Sequence, residues 1–141
     1  MSIWFQELTL NQLNERSQNT MAEYLGIEFT QIGEDSLTAV MPVTHKTKQP
    51  IGILHGGANV VLAETVASTA ANAAVDLTHY YCVGLEINAN HIRSVREGLV
   101  TAVCRPFHLG SSTQVWHVEI VNSEGKLSCV SRMTAAILRR N

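Results

Sequence analysis

Charge is scarce in this chain. Its 141 residues include 10 Lys and Arg and 12 Asp and Glu, so 16% are charged, against roughly 25% in a typical soluble domain. Together with 45% hydrophobic residues, this deficit predicts that other subunits cover part of the surface. The net charge of −2 and the lack of a basic stripe exclude a nucleic-acid footprint. We expect a homo-oligomer built from one domain, residues 1–141.

Cysteine is also scarce, and histidine has no metal-binding pattern. Cys82, Cys104 and Cys129 are an odd set without a CxxC spacing, which predicts reduced thiols in a cytoplasmic protein. Each lies in an apolar, strand-like context and is expected to be a small buried residue. The histidines show neither HxxxH nor HExxH spacing, so no metal site is predicted.

Neither a signal peptide nor a membrane segment is predicted from the sequence. Its first ten residues contain no basic region followed by a long apolar stretch. The run Gly52–Val75 has about the length of a membrane span. However, Glu64, His55, Asn59 and Asn72 lie within it, and a central carboxylate is expensive in lipid. We therefore expect no membrane partner.

The most informative segment is this same run. Between Gly52 and Val75 there is no Lys, Arg, Asp or Pro, and Glu64 is the only carboxylate. Such a segment predicts a buried helix. Burying a carboxylate in it lowers stability, which is not expected unless the carboxylate is paired or has a function. Gln49, His55 and Gly56-Gly57 lie where the helix should begin, and unpaired N–H groups at a helix start favour negative charge. These groups suit the hydrolysis of an activated acyl compound.

The remaining sequence predicts an α+β fold in which an antiparallel sheet wraps round one long helix. Val83, Leu85, Ile87 and Ala89 alternate with polar residues and are expected on one face of a strand. After the long helix only strands follow, which indicates an antiparallel meander. The predicted elements are helix 10–19, a helical turn at 24–26, a hairpin of strands 27–30 and 37–41, the long helix, strands 83–89, 99–105, 114–122 and 127–138, and a loop at 108–112.

Three stretches carry a family resemblance: KQPIGILHGGANVVLAE, GLEINANHIRS and HLGSSTQVW. They closely resemble the hotdog-fold acyl-CoA thioesterases whose catalytic carboxylate lies on the central helix. That branch includes the Arthrobacter-type 4-hydroxybenzoyl-CoA thioesterase and the bacterial 1,4-dihydroxy-2-naphthoyl-CoA hydrolases of menaquinone synthesis, with the enterobactin proofreading thioesterase as a sister group. The resemblance extends from about Leu8 to Leu138. It implies a hotdog fold, a dimer of dimers with each active site between two subunits, and no cofactor besides the coenzyme A of the substrate.

The resemblance assigns catalytic roles to five residues. Glu64 corresponds to the catalytic carboxylate, and Gly56 to the backbone N–H that holds the thioester oxygen. His55 and Gln49 correspond to side chains that polarise or orient the carbonyl. Ser68 lies one turn after Glu64, on the same helix face, and corresponds to a hydroxyl near the attacking water.

The resemblance also implies contacts with coenzyme A. Arg93 and the Gly110–Ser112 loop are expected at its nucleotide end, where an arginine and backbone N–H groups suit phosphate. The implied contact residues are Val83, Asn90, His91, Ile92, Arg93, His108, Leu109, Gly110, Ser111 and Ser112.

The mechanism and the exact activity stay open at this point. Glu64 is expected to act either as nucleophile or as general base on water. An aromatic acyl-CoA is the favoured substrate, with medium-chain acyl-CoA also considered. The alternatives are a hotdog-fold dehydratase that uses His55 as acid and base, and a non-catalytic acyl-CoA binding protein.

Overall fold

The chain forms one antiparallel sheet with one long helix packed against it. A computed structural model describes all residues from Met1 to Asn141. In chain order the elements are α1 (Leu10–Arg16), α2 (Met21–Tyr24), β1 (Glu28–Ile32), β2 (Leu37–Pro42), α3 (Gly56–Ala73), β3 (Tyr80–His91), β4 (Leu99–Leu109), β5 (Thr113–Val121) and β6 (Leu127–Arg139). This arrangement confirms the predicted α+β class.

Helix α3 is the centre of the hydrophobic core, as its apolar sequence predicts. Small and apolar side chains cover most of its surface, and Leu62 and Val66 are fully buried between helix and sheet. Burial of such a side chain contributes about 1.5–3 kcal/mol, so Leu62→Ala is expected to cost roughly 2–5 kcal/mol. None of the helices has the length and apolar character needed to cross a membrane.

The strand order of the sheet is β1-β2-β4-β5-β6-β3. The predicted meander is right for β4, β5 and β6 and wrong for β3, which pairs with β6 at the far edge. The reason is that α3 crosses the sheet after β2 and brings the chain to the opposite side. The 12 residues of β3 therefore have a neighbour on one side only. A long unpaired edge is a ready template for a strand of another chain.

A β-bulge at Leu85 reverses the facing of side chains along β3. Cys82 faces the core before the bulge, whereas Ile87 and Ala89 face it afterwards. The prediction that Val83 and Leu85 share a face with Ile87 and Ala89 is therefore wrong, and Val83 and Leu85 are 39% and 62% exposed. Strict alternation fails here because one extra residue turns every later side chain to the other face.

Strand β4 is longer than predicted. It continues beyond Arg105 to Leu109, with a register shift between Pro106 and His108. His108 and Leu109 are therefore strand residues. The sequence-based prediction of a loop at these two positions is wrong. Proline is tolerated in the strand because the ladder is already irregular at this bulge. Only Gly110–Ser112 forms the turn to β5.

The first helix is shorter than predicted. The cap is present as expected, since the Thr9 hydroxyl accepts a hydrogen bond from the Gln12 N–H at 3.2 Å. However, α1 ends at Arg16 and not at residue 19. Asn19 has a positive φ of 62°, a left-handed conformation that ends a helix. The helical turn predicted at 24–26 lies earlier, as α2 (Met21–Tyr24), and Gly26 follows it at φ 77°.

Asn72 attaches the end of α3 to the beginning of β3. Its Nδ2 donates to the carbonyls of Ser68 at 2.9 Å and Cys82 at 3.1 Å. Its Oδ1 accepts from the Cys82 N–H at 2.8 Å. The side-chain amide thus makes hydrogen bonds to both the N–H and the carbonyl of Cys82, as the backbone of a neighbouring strand would. This attachment fixes where the following residues of β3 lie along the helix.

Candidate active site

The start of α3 presents a backbone N–H that is free to bind an oxygen. The His55 side chain caps the helix, with Nδ1 accepting from the Gly57 N–H at 2.8 Å. The Gly56 N–H makes no hydrogen bond. A free donor at the positive end of a helix dipole suits an anion or a developing oxyanion.

Each of the two glycines at this helix start makes room for an imidazole ring. A Cβ on Gly56 would lie 2.8 Å from Nε2 of His91, and one on Gly57 would lie 2.9 Å from Nδ1 of His55. Glycine is therefore required here by close approach of side chains and not by a special backbone angle. His91 thus lies beside the start of α3.

Gly56 and His91 border a cavity of about 300 Å³, which we call the helix-start cavity. Gln49 lies on its wall, and its Oε1 already accepts from the Ile51 N–H at 2.8 Å. Its amide NH₂ is the group left to interact with a ligand. The helix-start cavity is lined by Gln49, Ile53, Leu54, Gly56, Asn59, His91, Ile92, Arg93, Ser94 and Val95.

Glu64 lies in a different place, against β3. Its carboxylate covers Gly84, where a Cβ would collide with Oε1. Ser68 lies beside it, and the Ser68 hydroxyl has no partner within the protein, whereas the Thr65 hydroxyl is bound to the Val61 carbonyl at 2.6 Å. Glu64 and Ser68 therefore have free polar atoms in a mostly apolar surrounding.

The open pocket around Glu64 has a volume of about 430 Å³ and is named the carboxylate pocket. Its remaining walls are mainly apolar. Met21 of α2 forms part of the rim, although 65% of this side chain is exposed. The carboxylate pocket is lined by Met21, Val60, Val61, Glu64, Thr65 and Ser68.

Within one protomer the predicted catalytic residues form two groups. Gln49 and Gly56 share the helix-start cavity, and Glu64 and Ser68 share the carboxylate pocket. His55 lies in neither, since it lines a third groove with Lys46 and Lys48. Gly56 and Glu64 are eight residues apart on one helix, which separates them by about 12 Å along its axis.

The residues predicted to hold coenzyme A are also divided. The Arg93 N–H donates to the Ser128 carbonyl at the beginning of β6, whereas the Ser112 carbonyl accepts from Ile137 at its end. Nine strand residues separate those two points, about 30 Å. One protomer therefore does not bring Arg93 and the Gly110–Ser112 turn to the same ligand.

The turn itself has donors available. The Gly110 N–H donates to the Thr113 carbonyl at 2.9 Å, and the N–H groups of Ser111 and Ser112 make no hydrogen bond. Of the other predicted contact residues, Ile92 lies in the helix-start cavity with Arg93. The rest are exposed strand residues: Val83 and Asn90 on β3, and His108 and Leu109 on β4.

Sequence reasoning missed Gly84, Asn59 and Met21 as residues of the site. Gly84 had a detectable signal, because a glycine inside a strand often marks a bulge or a close approach. Asn59 and Met21 had none, since their positions depend on which elements pack together.

The three cysteines are buried, as predicted. Burial raises the pKa of Cys82 and of Cys129 to about 11. It raises the pKa of Cys104 well above the ordinary value of a thiol. None of the three lines the helix-start cavity or the carboxylate pocket, and because the thiolate is the nucleophilic form, their raised pKa values also disfavour them as nucleophiles.

Comparison with known proteins decides the family. The family model of the thioesterase superfamily matches residues 51–129, which include α3 with Glu64 and strands β3 to β5. The chain belongs to the thioesterase superfamily. Its sheet and central helix are the hotdog fold of that family, and the protein is a thioester hydrolase.

Individual relatives agree over nearly the whole chain. The 1,4-dihydroxy-2-naphthoyl-CoA hydrolase of Escherichia coli is 52% identical over 136 residues, 96% of this chain and 99% of that protein. The proofreading thioesterase EntH of Cronobacter turicensis is 44% identical over 137 residues, 96% and 98% of the two chains. A thioesterase from Pseudomonas aeruginosa, solved as a glutamine-to-alanine variant, has a TM-score of 0.97 at 49% identity and covers 99% of this chain and 100% of its own.

Proposed function

We propose that this thioesterase hydrolyses an aromatic acyl-CoA, with 1,4-dihydroxy-2-naphthoyl-CoA as the favoured substrate and Glu64 as the catalytic carboxylate. The observation that carries the proposal is the carboxylate pocket, where Glu64 and the free hydroxyl of Ser68 border a mostly apolar wall. An aryl group fits such a wall while its carbonyl meets the carboxylate. The 52% identity to the Escherichia coli hydrolase supports the naphthoyl substrate.

The chemistry follows from where charge develops. Attack on the thioester carbon places negative charge on the former carbonyl oxygen, and the Gly56 N–H and the Gln49 amide are donors for it. Glu64 either attacks the thioester carbon and forms a mixed anhydride that water then hydrolyses, or removes a proton from a water that attacks instead, and Ser68 holds that water. The coenzyme A thiolate leaves without a strong general acid. The reaction uses side chains, backbone and water only.

Each site is proposed to combine two subunits. A reacting carbonyl needs its oxyanion donors and its nucleophile each about 3 Å away. The about 12 Å between Gly56 and Glu64 along α3 does not favour this within one protomer. Twofold pairing of unpaired β3 edges would turn the His91 end of one strand toward the Gly84 end of the other. The helix-start cavity of one subunit then faces Glu64 of its partner.

The same pairing accounts for the divided coenzyme A residues. It brings Arg93 of one subunit toward the Gly110–Ser112 turn of the other. Arg93 and the free N–H groups of Ser111 and Ser112 then meet the phosphates from two sides. The exposed Val83 and Leu85 side chains near the β3 edge also gain cover in such a dimer.

A panel of thioesters tests this function. Free thiol release from purified protein is followed with naphthoyl, benzoyl, medium-chain and short-chain acyl-CoA, and kcat/KM is compared. We expect the aryl substrates to rank first. A preference for alkyl chains would overturn the substrate class. Alkene formation from a hydroxyacyl-CoA, or binding without thiol release, would overturn the reaction.

The Glu64→Gln variant tests the role of the carboxylate in the same panel. We expect kcat to fall by at least about 10²-fold while a non-hydrolysable thioether analogue of the substrate still binds. Glu15→Gln is the matched control, since Glu15 is exposed on α1, away from both cavities, and its side chain bonds only to Asn11. Near-normal turnover in Glu64→Gln would remove Glu64 from the mechanism.

A further inference from the structure

Asn59 has the only buried side-chain oxygen in the protein without a hydrogen-bond partner. The residue is 4% exposed and lies in the first turn of α3, on the wall of the helix-start cavity. Its Oδ1 is unbonded, whereas its Nδ2 lies 3.5 Å from Nδ1 of His91. An unsatisfied buried oxygen lowers stability, so packing alone does not explain an asparagine here.

We propose that Asn59 is a positioning residue that holds His91 over Gly56, and that His91 supplies a further hydrogen-bond donor to the thioester oxygen. The proposal rests on the function proposed above and adds two residues to its oxyanion site.

The amide determines which nitrogen of His91 carries the proton. Nδ2 of Asn59 can only donate, so Nδ1 of the neutral imidazole must accept and Nε2 must carry the hydrogen. Nε2 is the ring atom nearest to Gly56, 2.8 Å from where a Cβ would stand. The bond to Asn59 therefore places the ring hydrogen on the nitrogen that lies over Gly56, whose own N–H is free.

The position of these donors explains why they suit a developing oxyanion. The Gly56 N–H, the Gln49 amide and Nε2–H of His91 border one cavity. Preorganised donors that converge on one oxygen stabilise the transition state more than the ground state. A Cβ on Gly56 would lie 2.8 Å from Nε2 and 3.1 Å from both Cδ2 and Cε1, so the ring has its face over Gly56, and the absence of a side chain there is what allows this approach. Asn59 itself contacts His91 and not the substrate.

The first test is Asn59→Leu, assayed with whichever thioester the wild type hydrolyses fastest. We expect kcat to fall about tenfold with KM nearly unchanged, since misplacing a catalytic group by 1 Å can cost up to about 10²-fold. The melting temperature should not fall, because the variant removes an unsatisfied oxygen. A lower melting temperature with unchanged kcat per folded molecule would overturn the proposal.

Asn14→Leu is the matched control on α1, away from both cavities. Asn14 uses its amide in bonds to the backbone of Phe29, donating to the carbonyl and accepting from the N–H. We expect this variant to melt at a lower temperature and to keep its kcat at temperatures where it is folded. Asn59→Leu should thus lose kcat and keep its melting temperature, whereas the control variant should lose melting temperature and keep kcat.

A double-mutant cycle shows whether Asn59 acts through His91. His91→Ala is expected to lower kcat, and Asn59→Leu should then have no further effect in that background. Effects that multiply would show that the two residues act independently and would overturn the proposal. Asn59→Asp tests the tautomer when it is assayed at about pH 9, where an imidazole is neutral, because a carboxylate accepts only and draws the single ring proton to Nδ1. Wild-type kcat in Asn59→Asp would overturn the assignment of Nε2–H as donor.

These outcomes are distinct from failure of the proposed function. An active Glu64→Gln variant, or a preference for alkyl substrates, would contradict the carboxylate or the substrate class. Neither result changes the comparison between Asn59→Leu and His91→Ala, since both are measured against the wild type on the same thioester.

Discussion

The carboxylate of Glu64 lies directly on the backbone of Gly84, and no side chain other than hydrogen fits between them. The contact links the middle of α3 to the bulge of β3. It holds the carboxylate at the open edge of the sheet, where the strand has no neighbour. The position of Glu64 thus depends on a glycine 20 residues further along the chain.

Gly84→Ala is expected to displace the Glu64 carboxylate and to lower both stability and turnover. Because Oε1 ends a flexible side chain that can move aside, the loss of stability should lie at the low end of the about 1–3 kcal/mol that overpacking costs, with a fall of roughly 2–4 °C in melting temperature. Differential scanning calorimetry and kcat measure the two effects.

The control for this prediction is the same substitution in a Glu64→Ala background. There the colliding atom is absent, so Gly84→Ala should cost much less stability. An equal loss in both backgrounds would mean that the glycine is needed by the bulge itself and not by the carboxylate.

Subunit complementation should reveal the shared site. Glu64→Ala and Gln49→Ala each damage one half of every site, and a mixed dimer of the two variants contains one undamaged site. With random pairing we expect about a quarter of wild-type turnover from an equal mixture. Turnover is measured for each variant refolded alone and for the two variants refolded together in equal amounts. A mixture no more active than the average of its components would place the whole site within one subunit.

Arg93→Ala should raise KM for acyl-CoA by about tenfold and leave kcat nearly unchanged, because a charge-assisted bond of about 1.5–3 kcal/mol to phosphate is equal in ground and transition states. Acyl-pantetheine, which lacks the nucleotide, should be hardly affected. Arg96→Ala is the control, since Arg96 is exposed nearby and lines a different cavity. Equal losses on both substrates would contradict a phosphate contact.

Thiol reagents should leave the enzyme active at neutral pH. Burial raises the pKa of Cys82 and of Cys129 to about 11, so the reactive thiolate is rare at pH 8. Its fraction rises about tenfold with each unit by which the pH is raised toward the pKa. Iodoacetamide labelling is measured by mass spectrometry beside residual turnover. Rapid inactivation at pH 7 would show an accessible thiolate near the site.

Several features of the site follow from local sequence. The absence of charge and proline between Gly52 and Val75 predicts α3, because a helix is stabilised by bonds between residues four apart and by one apolar surface. The same reasoning singles out Glu64, since a lone carboxylate on that surface needs a purpose. The His-Gly-Gly stretch predicts the helix start and its free N–H.

The outcome for β3 shows the limit of such reasoning. Alternation identified a strand at residues 83–89 but assigned Val83 and Leu85 to the wrong face, because a bulge depends on how β3 registers with β6. The place of β3 at the sheet edge was also missed, since a crossing helix leaves no mark in the strand that follows it.

The sequence by itself determined the central helix, its single carboxylate, its free N-terminal donor and the family to which the chain belongs. Only the tertiary structure decided that Gly84 lies under Glu64, that Asn59 meets His91 beside Gly56, and that Arg93 and the Gly110–Ser112 turn lie at opposite ends of the sheet. The physical reason is the separation along the chain between the residues that interact. Helix formation and capping involve residues a few positions apart, whereas these contacts depend on strand register and on packing between distant segments, which only the folded chain brings together.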